Sequence, residues 1–124
     1  MSGKKYLVPM SSPELNEEDR RSVLEVLETR TLSIGPKLDA FEDAVKKYCG
    51  AGEAVGVSSG TAGLHLCIRA AGVNPGDFVI TTPFSFVSSA NVILFENAVP
   101  IFVDVDPATG NINPELVGQV AEDI

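Results

Sequence analysis

The chain has one histidine, two cysteines and no tryptophan in 124 residues. Cys49 and Cys67 lie far apart and outside any CxxC. A disulfide scaffold and a zinc site are therefore disfavoured, and both thiols read as reduced residues in or near a core. Basic residues are scarce as well: nine Lys and Arg stand against seventeen Asp and Glu, for a net charge of −8 and a pI of about 4.5. A nucleic-acid backbone needs clustered cations, so no nucleic-acid partner is expected. An anionic membrane surface is disfavoured for the same reason, and the excess acid reads as solubility. No apolar run approaches the ~20 residues of a membrane span. Residues 1 to 5 are polar and lack the apolar stretch of a secretory signal, which makes a cytoplasmic location the expectation.

What the chain does have is apolar content, 44% of its residues, in periodic segments. Its length suits one domain or a piece of one, able to bury on the order of two-thirds of its unfolded surface. Residues 1 to 13 read as an extended arm, since Pro9 and Pro13 oppose a helix. Asn16 has the features of an N-cap, with acids at 17 to 19, and Val23, Leu24, Val26 and Leu27 follow at helical spacing over 17 to 29. A second helix is expected over 37 to 49, from Leu38, Phe41, Val45 and Tyr48, with Gly50 as its stop.

From there strands and helices alternate. Residues 54 to 57 read as a strand, 61 to 72 as a helix ending at Gly72, and Asn74-Pro75-Gly76-Asp77 as a turn. Strands at 78 to 81 and 99 to 105 flank a helix at 85 to 96. After a turn at Asp106 to Gly110, Asn113 and Pro114 have the form of a cap and first residue of a last helix. This alternation is the pattern of an α/β fold: a mostly parallel sheet with helices on both faces. The last helix runs to residue 124 with no C-cap, so the chain is expected to be a fragment of a longer protein, its sheet incomplete.

Two segments about twenty residues apart carry the candidate site. Val57-Ser58-Ser59-Gly60-Thr61-Ala62 reads as a strand running into a hydroxyl-lined turn and a helix start, where free N–H groups favour an anion. The plainer reading is an ordinary strand-to-helix turn with a Thr N-cap; no GxGxxG and no Walker loop is present. Thr82-Pro83-Phe84-Ser85-Phe86 places aromatics and hydroxyls on a second such turn, with Asn91 on the helix beyond. The alternatives are that both rings are core and that Asn91 is simply solvated. A phosphate site beside an aromatic ring suits a flat, phosphorylated cofactor. Asp104 and Asp106 end a strand, where acids can bind a ligand, although Asp106-Pro107 equally starts a turn. With no His or Cys near them, no metal is proposed. His65 lies mid-helix beside Leu64 and Leu66 and reads as structural, because no partner for a catalytic base is visible.

In order and spacing these segments resemble the DegT/StrS-type sugar aminotransferases. Val8-Pro9-Met10-Ser11-Ser12-Pro13, Leu32-Ser33-Ile34-Gly35-Pro36, Ser59-Gly60-Thr61-Ala62-Gly63-Leu64, Asn74-Pro75-Gly76-Asp77, Pro83-Phe84-Ser85-Phe86-Val87 and Phe102-Val103-Asp104-Val105-Asp106 all occur in family order. The resemblance implies the aspartate aminotransferase-like fold (fold type I) and pyridoxal 5'-phosphate as cofactor. On it, residues 1 to 124 comprise an N-terminal arm and helices followed by the first half of the large PLP-binding domain. Gly60, Thr61 and Ala62 match the turn that holds the cofactor phosphate, and Phe86 the aromatic that stacks on its ring. Asn91 matches a position near the cofactor, and Ser33, Ile34 and Gly35 a loop near the substrate.

The residues that do the chemistry in that family, an acid paired with the pyridine nitrogen and a Schiff-base Lys, are expected beyond residue 124. Lys4, Lys5, Lys37, Lys46 and Lys47 do not match the motif and read as surface lysines. The resemblance implies a homodimer with its active site at the subunit boundary. It also implies a nucleotide-sugar substrate and an amino donor, glutamate, for amino-sugar biosynthesis, with this chain alone inactive. Two other readings stay open: a dehydratase of the same family, with His in place of the Lys, or a non-catalytic truncated protein with a regulatory role. A bare fragment would leave apolar edges and faces uncovered. The 124-residue chain, made alone, is therefore expected to associate or to melt without a cooperative transition. A sharp two-state thermal transition from a monomer, followed by circular dichroism, is the contrary result.

Overall fold

The computed structural model describes residues 11–124, which divide into two units, one up to Gly56 and the other Val57–Ile124. Most of the arm expected over residues 1 to 13 lies outside the described residues.

The first unit is built on two helices, each started and stopped by its own sequence. In α1 (Glu17–Leu27) the Asn16 side chain accepts from the backbone N–H of Glu18 and Asp19 at 2.8 and 3.1 Å. The Asp19 carboxylate in turn accepts from Asn16 N–H at 2.8 Å. This reciprocal capping box satisfies donors that a helix start leaves orphaned. The helix ends at Leu27, two residues short of the expected span. In α2 (Pro36–Cys49) the proline sits at the first position, and Gly50 closes the helix in the left-handed conformation, φ 63°. Lys37 reaches Glu25 of α1 at 3.2 Å, an exposed pair worth little. No described residue of this unit is buried.

Residues 54 to 57 form no strand. The Gly56 N–H donates to Glu42 Oε1 at 2.7 Å, and a Cβ on Gly56 would stand 2.5 Å from Leu38 Cδ1. Gly56 thus lies back against α2. The segment's apolar residues fit a strand, but a strand needs a ladder partner, and among the described residues none pairs with it.

The second unit runs α3 (Gly60–Ala70), β1 (Phe78–Thr81), α4 (Ser88–Phe95), β2 (Val99–Phe102) and α5 (Pro114–Asp123). The strands pair in parallel, Phe78 opposite Val99 through Thr81 opposite Phe102, with α4 as the crossover. The lower ends of both strands are tied together. Asp77 N–H donates to Asn74 O at 3.1 Å in one turn, and Gly76 N–H donates to Asn97 O at 2.9 Å. Asn97 has φ 56°, a conformation Asn tolerates through its short polar side chain.

Val92 and Ile93 of α4 are the fully buried side chains. With Ala98 they form a core against which Ile68, Val73 and Val79 pack. Strand β2 was expected to reach residue 105. It stops at Phe102 because β1 has run out: Val103 N–H still reaches Thr81 O at 2.8 Å, but Val105 bridges Ile112 instead. The Asp106 turn between them is held by Asp106 Oδ1 accepting from Ala108 N–H at 2.7 Å. Asn113 then caps α5.

Helices α3 and α4 pack side by side. Ser89 at the start of α4 shares a hollow with Leu64 near the start of α3, while Glu96 at the end of α4 meets His65 and Arg69. The two helices therefore run in the same direction, and their N-termini open toward the same end of the strand pair. The strands are half-buried, and Cys49 and Cys67, expected near a core, are exposed free thiols. In this small core Ile93→Ala should cost about 3 kcal/mol in a denaturant titration, against less than about 1 kcal/mol for its exposed neighbour Leu94→Ala. Equal losses would show that α4 is not seated through Ile93.

Candidate functional site

The first candidate turn is the start of α3. Its N-cap is Ser59, whose Oγ accepts from Ala62 N–H at 3.1 Å, rather than the Thr61 that residue type suggests. Ser59 takes that role because its backbone is still extended, φ −165° and ψ 162°, as a cap requires, whereas Thr61 is already helical. Thr61 is half-buried in the first turn. With Ser59 occupied at Ala62, the N–H groups of Gly60 and Thr61 have no intrahelical acceptor. A Cβ built on Gly60 would meet no atom within 4 Å, so the backbone is open there to an incoming group.

Charge placement favours an anion at the same point. The first turns of α1, α2 and α5 each carry an acid that compensates the helix dipole, while those of α3 and α4, the two helices that follow the candidate turns, carry none. Gly60, Thr61 and Ala62 thus fit the phosphate of a cofactor on the chemistry of their donors.

The second turn joins β1 to α4. Thr82 Oγ1 accepts from Phe84 N–H at 3.2 Å, Ser89 N–H donates to Phe86 O at 3.0 Å, and the Ser85 and Ser89 hydroxyls lie 3.0 Å apart. These bonds hold residues 84 to 87 as a turn, which is why α4 begins at Ser88 and not at the expected residue 85. Neither aromatic is core. Phe84 lies beside Gly110, where a Cβ would stand 3.8 Å from its ring. Phe86 is 75% exposed and lines an open hollow of about 250 Å³ with Pro83, Ser85, Ser89, Ala90 and Phe102. An exposed aromatic face beside hydroxyls suits a flat polar ring. Asn91 is half-buried on α4, so it is not a simply solvated position.

Other candidates fall out differently. Ser33, Ile34 and Gly35 belong to the first unit. There Ile34 is 88% exposed with φ 46°, unusual for a β-branched residue, and it lines an apolar hollow with Leu32 and Leu38. Asp104 and Asp106 serve their turn: Asp104 Oδ1 accepts from Val105 N–H at 2.8 Å, and no metal-ligating group of three or more is found among the described residues. His65, read as partnerless, has a partner 31 positions away. Its Nε2 hydrogen-bonds Glu96 Oε1, and its ring meets Phe95 edge to face at 5.4 Å. Nothing local in the sequence signals that pairing.

A family model for the DegT/DnrJ/EryC1/StrS aminotransferases matches residues 13–123. The chain belongs to this family. Among curated relatives, the spore coat polysaccharide biosynthesis protein SpsC of Bacillus subtilis (strain 168) is 43% identical over 111 residues, 90% of this chain and 28% of SpsC. The UDP-4-amino-4-deoxy-L-arabinose–oxoglutarate aminotransferase of Shewanella sediminis (strain HAW-EB3) is 40% identical over 99 residues, 80% of this chain and 26% of the relative. Among solved structures, Spr1654 of Streptococcus pneumoniae in its PLP-form superposes with a TM-score of 0.85 at 31% identity, covering 92% of this chain and 29% of that one, and it is also known in a PMP-form. The chain therefore spans under a third of the length of these relatives. The expected fold class holds, and pyridoxal phosphate is the cofactor of the family. No described helix is long and apolar enough to cross a membrane.

Ile34 supplies a direct check on the strained loop. Ile34→Asn, which suits a positive φ, should raise stability by about 1 kcal/mol in a denaturant titration. A loss of similar size would mean that the isoleucine side chain is packed and the strain is offset by burial.

Proposed function

We propose that this chain supplies the phosphate turn and the ring-stacking aromatic of a PLP-dependent aminotransferase that moves an amino group from glutamate to a nucleotide-linked keto-sugar. The observation that carries the reading is the open, acid-free start of α3 facing the same end of the strand pair as the exposed Phe86 hollow. The name of the Shewanella relative, a nucleotide-sugar–oxoglutarate aminotransferase, supports both the acceptor class and the donor. The amino-sugar product suits glycan assembly, as the name of SpsC suggests for that relative. A homodimer is the proposed working form, and the arm, helices and first strands are the proposed N-terminal part of its large domain.

In this reading Gly60 N–H, Thr61 N–H and the Thr61 hydroxyl donate to the phosphate, which gains from charge-assisted bonds at a helix start. Phe86 covers one face of the ring and keeps water from it. Asn91, half-buried on α4, lies near the ring, and the Ser33–Ile34–Gly35 loop meets the sugar. The bound cofactor supplies the carrier for the amino group and the electron withdrawal that loosens a carbon-bound proton. The proton-moving Lys lies outside residues 1 to 124, and this chain by itself is proposed to be inactive.

The test uses the natural gene product with PLP, glutamate and a nucleotide-linked keto-sugar, read by mass spectrometry. The expected product carries NH₂ in place of the keto oxygen, with 2-oxoglutarate formed in equal amount. Thr61→Ala should weaken PLP binding by about tenfold, and Phe86→Ala by about fivefold. A sugar that has lost water and gained no nitrogen would assign the protein to dehydration instead. No change in PLP affinity in either variant would remove both residues from the site.

A further inference from the structure

We propose that His65 and Glu96 form a positioning clasp for the cofactor site, fixing the α3 start relative to the turn that carries Phe86. The inference rests on the phosphate and ring roles given above to Thr61 and Phe86. Thr61, His65 and Arg69 are spaced four apart on α3, so they lie along one stripe of the helix. One turn below Thr61, the His65 ring donates from Nε2 to Glu96, the residue that ends α4. One turn further, Arg69 Nε stands 3.8 Å from the same Glu96 oxygen. Phe95 closes on the imidazole edge to face, with ring centroids at 5.4 Å and planes at 73°. One carboxylate thus gathers two residues of the Thr61 stripe.

The apolar packing between the helices does not by itself set their rotation. Leu64, Ile68, Val92 and Ile93 make a non-directional contact that tolerates small turns of α3 about its axis. A hydrogen bond to a fixed carboxylate does not, because it weakens steeply with angle. Turning α3 swings Thr61 and its N–H groups away from the end of the strand pair where Phe86 lies. The clasp sits where it can act: the Glu96 side chain is 18% exposed and that of His65 32%, so the pair is only partly screened. It is also too exposed to dominate folding, which separates its effect on binding from an effect on stability.

The experiment uses the natural gene product in apo form, titrated with PLP and followed by visible circular dichroism of the bound chromophore, with the thermal midpoint of each apo protein alongside. His65→Ala and Glu96→Ala are each expected to weaken PLP by about fivefold and to reduce the induced dichroism, with little change in apo midpoint. Glu96→Gln keeps an acceptor oxygen and should stay within about twofold of wild type. The proposal fails if both alanine variants bind PLP like wild type while Thr61→Ala binds weakly, which leaves the phosphate site standing. It also fails if Glu96→Gln, folded, is as weak as Glu96→Ala, since the hydrogen bond would then not be the agent. Wild-type affinity in Thr61→Ala would overturn the site reading itself, and the clasp with it.

Discussion

Val92 and Ile93 are buried only because α4 lies on the β1–β2 pair, and the functional geometry of the second unit depends on that seat. The strands are four residues each and too short to stand alone. The helix between them covers them, brings Ala98 and Val79 into the same cluster, and forces the parallel connection. Once α4 is seated, the turn before it must emerge at the carboxyl end of β1. Helix α3, packed against α4 through Ile68, must then open its own start toward that end. Ligands collect at the carboxyl ends of parallel strands because two helix starts converge there, and the chain reaches this arrangement with few buried side chains.

What could be read from the sequence was mostly what is decided within a few residues. Asn16 with acids at 17 to 19, Gly50, and Asn113 with Pro114 each start or end a helix by local features, and each stands where expected, while Pro36, outside the expected span, opens α2 one residue earlier. The two parallel strands were legible for a related reason, their alternation with helices, although the second was read to residue 105 and ends at Phe102. The failures share a different cause. Residues 54 to 57 have strand composition, but pairing is a property of a partner, and Gly56 spends its amide on Glu42 instead. Thr61 and Ser59 are equally good caps by residue type, and backbone conformation alone chooses between them. Glu96 is invisible as the partner of His65 because 31 residues separate them and only the α3–α4 packing brings them together.

The candidate site shows the same division. The residues themselves left Gly60, Thr61, Ala62 and Phe86 open between an ordinary turn with core rings and a ligand site; their assignment to a cofactor came from the resemblance, and the chain's membership of the family supports that proposal. The Ser33–Gly35 loop rested on resemblance alone. Its physical signature, a β-branched residue at φ 46° with its side chain outward, is a backbone property that no sequence pattern encodes.

A net charge of −8 opposes a phosphate only where the acids stand close to it. Three of the chain's helices carry acids in their first turns, and in α1 the Asp19 carboxylate accepts from the N-cap Asn16 N–H. A carboxylate there offsets the positive end of the helix dipole and repels a second anion. At α3 the neutral Ser59 satisfies one donor and leaves the next two free, and no acid stands in the first turn to repel a ligand. Over a Debye length of about 8 Å the distant carboxylates are screened, while donors at bonding distance are not. Local polarity of the backbone therefore outweighs the sign of the whole chain. The proposed phosphate site rests less on what Gly60, Thr61 and Ala62 contribute as side chains than on free N–H groups with no carboxylate in the first turn beside them.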